Sequence, residues 1–341
     1  MKNNLLILLA VILNLSCTGQ STELRAGILF YNVENLYDTI NDPQKDDEEF
    51  LPASDRKWNS ERYDKKLFNL AKVITSAGNE LPDFIGLCEI ENEQVISDLV
   101  AQENLAPGNY KWVHYDSPDE RGIDVAFLYD SKKFKPTKSN PIYIDLGGDS
   151  VDYTRDILMV EGEYQFGDKS WLLYFFINHW PSRAEGEEIS APKRIAAATI
   201  LKHVTDSIFA IQPGRSIIIM GDFNDTPFDK SINLVLGAKQ VSNEMEKTSL
   251  YNLVADKQSI GEGSYNFKGK WQALDQIIVS GSLVDNIGLD FDLGSTKYIR
   301  ESWMLYHNDK YGDSPDRTFA GTKYIGGYSD HLPAYGELIL R

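Results

Sequence analysis

Short runs of aliphatic and aromatic residues recur along the chain: "AGILFYNV", "DFIGLCEI", "IDVAFLYD", "DILMVEGEY", "WLLYFFINH", "SIIIMGDF", "ALDQIIVS" and "AYGELIL". Their length suits buried strands, which take roughly 4–8 apolar positions. Two segments repeat at helical spacing instead. Over residues 60–77, with Ser60 as the cap, Leu67, Leu70, Ala71 and Ile74 fall on one face and Gly78 supplies the stop. Over residues 192–209, Ala197, Ile200, Leu201, Val204 and Ile208 share a face, and Pro192 suits a first turn. Strands and helices interleave without a regular βαβ alternation. The pattern predicts a mixed α/β sandwich, not a doubly wound parallel sheet. No repeat, low-complexity tract or change of composition divides residues 20–341, so they read as one domain. The acidic run 42–49, "DPQKDDEE", reads as a solvated loop.

The first residues, "MKNNLLILLAVILNLSCTGQ", carry Lys2, then an apolar stretch from Leu5 to Leu13, then small residues. That is the pattern of a secretory signal, and residues 1–19 are set apart from the fold. The stretch is too short for a spanning helix. "NLSC" resembles the lipobox of bacterial lipoproteins, with Cys17 as the lipid-anchored residue, although Asn14 stands where an aliphatic residue is usual. Cleavage after Gly19 is the alternative. Both place the protein outside the cytoplasm: periplasmic, on the outer membrane as a lipoprotein, or extracellular. The other cysteine is Cys88, so the domain has no pair for an internal disulfide.

The chain has 34 Lys and Arg against 51 Asp and Glu, a net charge of -17 that becomes -18 without Lys2. Such a surface repels polyanions at long range. A stable nucleic-acid complex is disfavoured, because phosphate neutralisation supplies most of that affinity. A monomeric enzyme acting transiently on phosphates is compatible with this charge, provided bound metal inverts the local field.

Polar residues gather at the ends of the apolar runs. "FYNVEN" offers Asn32 and Glu34, and "GLCEIEN" offers Glu89. "FFINHWPSR" offers Asn178, His179 and Arg183, and "MGDFND" offers Asp222 and Asn224. "WQALDQIIV" offers Asp275, and "GGYSDHLPA" offers Asp330 and His331. One such residue usually serves a turn. Six separate strand ends presenting carboxylate, amide or imidazole point to a catalytic rim. Carboxylates with amide oxygens are hard ligands suited to Mg2+ or Mn2+, and no Cys/His cluster points to zinc. Phosphodiester hydrolysis needs these parts: a metal, a group to orient water, and an imidazole near the developing charge. No glycine-rich phosphate loop and no G-x-S-x-G elbow is present.

The ordered set "YNVEN", "CEIEN", "NHWPSR", "GDFND", "LDQII" and "SDHLP" resembles the endonuclease/exonuclease/phosphatase superfamily, from about residue 25 to the end of the chain. The resemblance implies a four-layer α/β sandwich, two mixed β-sheets flanked by helices. It implies Glu89 as principal metal ligand, with Glu34 and Asp330 near or on the metal. Asn32 would bind the phosphate or a metal water. Asp222 would orient or deprotonate the attacking water, and Asn224 would hold the phosphate or that aspartate. His331 would contact the scissile phosphate, oriented by Asp275. His179 occupies the second histidine position of the deoxyribonuclease and sphingomyelinase branches, which argues against the abasic-site branch.

Further candidates for substrate contact are Asn178, Arg183, Arg155 and Arg317. Arg317 lies in a long Gly- and Tyr-rich segment just before Asp330. The loop after His114, with Arg121 and Asp124, reads equally as site wall or hairpin turn. Trp271 stands close to Asp275, whereas His203 reads as a surface or packing residue. The expected function is an exported, Mg2+-dependent phosphodiesterase, first of all a nuclease acting on DNA or RNA. A phosphomonoesterase or lipid-headgroup phosphodiesterase is the alternative, although no apolar hairpin or multi-phosphate basic cluster is seen. A catalytically inactive binding module is the third reading, disfavoured by the complete polar set.

Overall fold

A computed structural model describes residues 24–147, 153–242 and 244–341. The signal segment 1–19 and Cys17 lie outside the described residues. The opening strands are β1 (Arg25–Leu36), β2 (Phe84–Ile90), β3 (Tyr110–His114) and β4 (Asp124–Asp130). There follow β5 (Phe134–Ile142), β6 (Ile157–Phe166), β7 (Lys169–His179), β8 (Ser216–Asp222), β9 (Ala238–Gln240) and β10 (Leu250–Asn252). A hairpin of β11 (Tyr265–Phe267) and β12 (Lys270–Gln272) precedes β13 (Asp275–Ser280) and β14 (Leu289–Tyr298). Two small hairpins, β15 (Leu305–Asn308) with β16 (Gly312–Pro315) and β17 (Phe319–Ala320) with β18 (Lys323–Tyr324), lead to β19 (Ala334–Leu340).

One sheet has the order β14-β19-β1-β2-β4-β3, the other β5-β6-β7-β8-β13-β10-β9. Both are mixed: β1 runs parallel to β2 and β7 parallel to β8, with antiparallel neighbours on either side. The sheets pack face to face, and helices cover their outer faces. The expected four-layer sandwich is the observed fold.

The near-continuous apolar runs follow from this layering, since a central strand is buried on both faces. In β8, Ile218 and Met220 enter the core between the sheets, whereas Ile217 and Ile219 face the helix layer. In β7, Phe175 and Ile177 point inward and Tyr174 and Phe176 outward, the period-2 alternation of a strand. The rings of Phe84, Phe127 and Phe175 meet between the sheets at centroid distances of 4.5 to 6.0 Å. Truncating such a ring to alanine costs about 3–5 kcal/mol. A Cβ on Gly86 would sit 2.6 Å from Met220 Sδ, so glycine lets the opposing sheet approach.

Helix α1 (Ser60–Thr75) packs Leu67, Leu70, Ala71 and Ile74 on the first sheet, as its spacing predicts. Its cap is Asn59 instead of Ser60. Asn59 has the extended backbone of a cap, and its Oδ1 accepts from Arg62 N at 3.1 Å. After α2 (Glu93–Val100), α3 (Glu187–Ile211) covers the second sheet. It begins five residues before Pro192, because the missing N–H forfeits one bond only, to a carbonyl in the exposed opening turn.

Candidate active site

Strand parity assembles most of the site. Asn32 is in phase with Ile28 and Phe30, His179 with Phe175 and Ile177, Asp222 with Ile218 and Met220, and Asp275 with Ile277 and Val279. All these apolar partners face the gap between the sheets, so the polar side chains meet where that gap opens at one rim. His179 lies in register with Asp222 across β7 and β8, and Asp222 with Asp275 across β8 and β13. The groups come from strand beginnings as well as strand exits. Asp275 opens β13, and Asp330 and His331 precede β19. These strands run antiparallel to β8 and β1, so their beginnings reach the same rim.

Glu89 has the wrong parity, being in phase with the outward Ile85 and Leu87. A register shift corrects it. The ladders of β2 slip between Asn32 and Leu36 on one side and between Cys88 and Ile90 on the other. Glu34, Asn35 and Glu89 in these bulges have φ of 52°, 54° and 63°, costly for residues with a Cβ. The bulge turns Glu89 into the cleft, where Asn35 N donates to its Oε2 at 2.8 Å and Asn32 Nδ2 to its Oε1 at 3.2 Å. Asn224, φ 51°, makes a comparable tight turn after β8. Gly221 is required there, because a Cβ would lie 2.5 Å from that of Asn178.

Asp222 is central. Its Oδ1 accepts from Asn224 N at 3.0 Å, and its Oδ2 accepts from Asn32 Nδ2 at 3.0 Å. That Oδ2 lies 3.8 Å from Nε2 of His331 and 3.8 Å from Nε2 of His179. Nδ1 of His331 is 2.5 Å from Oδ2 of the fully buried Asp275. Burial alone would push the His331 imidazole down, but Asp275 and Asp222 together hold it well above its usual value. His179 is the opposite case. Burial, then the charges of Arg155 and Arg121, push it well down, so it is a neutral imidazole. Burial and the facing Asp330 raise Glu89. Glu89, His179, Asp222, Asn224, Asp330 and His331 line a cleft of about 620 Å3, with Arg121, Arg183, Tyr265, Phe267 and Gln272 in its walls.

Several expectations need correction. Arg155 is buried and committed: it pairs with Asp119 at 3.0 Å and donates to the Trp180 carbonyl at 2.7 Å. Asn178 has no exposure and faces the helix layer in phase with Phe176. Its amide donates to the Phe176 and Met220 carbonyls and accepts from Trp180 Nε1. Neither side chain is presented to a substrate. Arg183 lines the cleft but is held by Asp225, Asp229 and the Asn224 carbonyl. Arg317 is half-exposed, 3.5 Å from Asp330. Glu34 does not join Glu89 in the cleft lining. Its carboxylate accepts from Thr318 N at 2.6 Å and stands 3.9 Å from Lys66 Nζ, which ties down the segment carrying Arg317. Burial and Asp330, against Lys66, push Glu34 up to about 7. Among the described residues, Glu89, Glu34 and Asp330 are not a group with ligand atoms within 4.8 Å of one another.

The loop after His114 joins two hairpin strands and also walls the site, through Arg121. His114 itself pairs with Asp124 at 3.1 Å, and His203 is exposed on α3. Sequence reasoning missed Lys66, which anchors Thr318 Oγ1 and the Tyr328 carbonyl, and Arg194, which holds Asp225 at 2.8 Å beneath Asn224. A lysine beside the apolar face of α1 was the one signal for the first.

A two-sheet sandwich with carboxylates, amides and two imidazoles on one rim defines a phosphoesterase-like class. The family model described as the endonuclease/exonuclease/phosphatase family matches residues 27–339, and the chain belongs to that family of metal-dependent phosphoric ester hydrolases. Solved structures share its fold. An endonuclease/exonuclease/phosphatase family protein from Bacteroides thetaiotaomicron is 16% identical, with TM-score 0.55, over 93% of this chain and 95% of that one. Truncated Caenorhabditis elegans TDP2 is 16% identical, with TM-score 0.53, over 93% and 98%. A Bacteroides thetaiotaomicron mannosyl-6-phosphatase is 17% identical, with TM-score 0.54, over 92% and 100%. No curated protein matches the sequence.

Proposed function

We propose that this phosphoric ester hydrolase is an exported phosphodiesterase that cleaves DNA or RNA with the aid of Mg2+ or Mn2+. The observation that carries the reading is Asp222 Oδ2, 3.8 Å from each of two imidazole nitrogens. The cleft that all three line suits a phosphoryl group beside hydrogen-bond donors, with a carboxylate to take a proton from the attacking water. Asn32 and the Asn224 backbone fix Asp222 through both oxygens, so it accepts a proton from water in one orientation. Asp275 orients His331 so that Nε2 faces the phosphate, and neutral His179 offers a second hydrogen bond from the other side.

The donor set fits a hard divalent cation. Glu89 and Asp330 repel one another in the same cleft, and a cation between like charges would relieve that cost. Glu89 and Asp330 would hold the ion, which when bound polarises a non-bridging phosphoryl oxygen. Support for a nucleic-acid substrate is the aromatic wall of the cleft. Tyr265 tilts over His331 at a ring distance of 5.0 Å, and Phe267 stands half-exposed at the rim, the kind of surface on which bases stack. Export rests on the apolar leader and "NLSC".

The test is a substrate panel with Mg2+, with and without EDTA: plasmid DNA, RNA, bis-p-nitrophenyl phosphate, p-nitrophenyl phosphate, sphingomyelin and inositol phosphates. Cleavage of a nucleic acid and of the diester, abolished by EDTA, is expected. Hydrolysis confined to monoesters, sphingomyelin or inositol phosphates would overturn the nuclease reading.

A further inference from the structure

Most arginines near the cleft are neutralised by carboxylates, as Arg121, Arg183 and Arg317 are. Arg300 is not. It is exposed and makes no ion pair among the described residues; its guanidinium lies 4.3 Å over the Trp271 ring. Lys72 is alike: its ammonium sits 3.8 Å over the Trp303 ring and 3.3 Å from Tyr328 Oη, with no carboxylate partner among the described residues. An aromatic face holds a cation in place while leaving its charge intact, and a flat guanidinium keeps its N–H edge turned outward for a phosphate.

Both cations sit on rings carried by segments that also carry cleft residues. Trp271 precedes the cleft-lining Gln272, and Tyr328 comes two residues before Asp330. Ile299 N donates to the Pro333 carbonyl at 2.9 Å, which sets Ile299, next to Arg300, beside the segment leading from His331 into β19. The Trp303 and Tyr328 rings meet at 5.0 Å, and Trp271, Trp303 and Tyr328 all pack on the core beneath α1. In a protein of net charge -17, these are two cations that no carboxylate pairs with among the described residues.

We propose that Arg300 on Trp271 and Lys72 on Trp303 and Tyr328 form a backbone-binding strip for a single-stranded nucleic acid, taking phosphates beyond the scissile one. This rests on the nuclease reading above and adds a length requirement to it. A substrate long enough to reach the strip gains affinity there, and a minimal diester gains none. The strip also lets an acidic protein engage a polyanion without a stable complex, since two neutralised phosphates add little to binding at moderate salt.

The test compares wild type with Arg300→Gln, Lys72→Gln and the double variant. A fluorescein-labelled single-stranded oligonucleotide is titrated by anisotropy in EDTA, across a range of salt. The double variant should bind several-fold more weakly, with its logarithmic salt dependence shallower by about 0.7 for each phosphate that is no longer neutralised. Hydrolysis of methyl p-nitrophenyl phosphate should stay at the wild-type level. Unchanged binding and slope would overturn the strip, as would a matching loss on the small diester. Retention of anionic phosphatidylglycerol vesicles without oligonucleotide binding would overturn it in favour of a membrane contact. If wild type binds through the strip yet cleaves no nucleic acid, the strip stands and the nuclease reading falls.

Discussion

His331 and Asp275 are joined by a short contact, Nδ1 to Oδ2 at 2.5 Å, with the carboxylate fully buried. The pair spans 56 residues of sequence, and β8 places it beside Asp222. A histidine so held has one nitrogen committed and the other directed at the cleft.

Asp275→Asn should therefore lower kcat by about 10^2–10^4 while the fold survives, because the amide fits the same volume but offers no charge to the ring. His331→Ala should cost a similar factor. Since the two act as one unit, the double variant should be little worse than either single one. Multiplying losses in a steady-state double-mutant cycle would show that the residues act independently.

Glu89→Gln tests the metal. The change removes one charge from the two-carboxylate pair that would hold a cation and keeps the volume. EDTA should abolish wild-type activity. Mg2+ at about 100 times its Kd should raise wild-type stability by about 2.7 kcal/mol, a gain read by thermal melting. Glu89→Gln should lose most of that gain along with activity. A wild type that melts identically in EDTA and Mg2+, and stays active in EDTA, would refute the metal assignment.

The sequence made the sandwich legible because β7 and β8 are buried on both faces, and such strands show as unbroken apolar runs. His179 and Asp222 were legible as polar ends of those runs. Parity could have separated His179 from Asn178, one facing the gap and the other the helices, but adjacent polar residues were read as one group. The bulges were not legible. Nothing in "CEIEN" announces that Glu89 takes a left-handed φ, since the register of three strands imposes it. Arg155 was misread for a similar reason: whether a charged residue near a rim faces the cleft or pairs inward depends on Asp119, 36 residues away.

Arg155→Met should thus act on stability instead of substrate binding. The guanidinium and the Asp119 carboxylate are both nearly buried, and removing one partner of such a pair costs about 3–5 kcal/mol. Arg121 also pairs with Asp119, which places the expected loss at the lower end, about 3 kcal/mol by urea denaturation. KM of the folded variant should stay within about twofold of wild type, since uniform binding energy is untouched. A stable variant with KM raised more than about tenfold would restore Arg155 to the substrate.

Asp156 should make stability depend on pH in the opposite sense to a salt-bridged carboxylate. Burial and the nearby Asp124 push it up to about 6, and its Oδ1 is buried without a hydrogen-bond partner among the described residues. Folded Asp156 therefore keeps its proton to higher pH than the unfolded chain, where the value is about 3.9. Its contribution to stability is fully present below about pH 4 and is lost as pH rises through about 6. The full shift corresponds to about 3 kcal/mol, which solvent screening at a partly exposed group reduces to about 1. Asp156→Asn should accordingly be more stable than wild type at pH 7 by about 1 kcal/mol. The two proteins should converge below about pH 4, where both side chains are uncharged. Denaturant melts at the two pH values decide it, and an Asn variant less stable than wild type at neutral pH would mean that the ionised carboxylate has a partner that stabilises it.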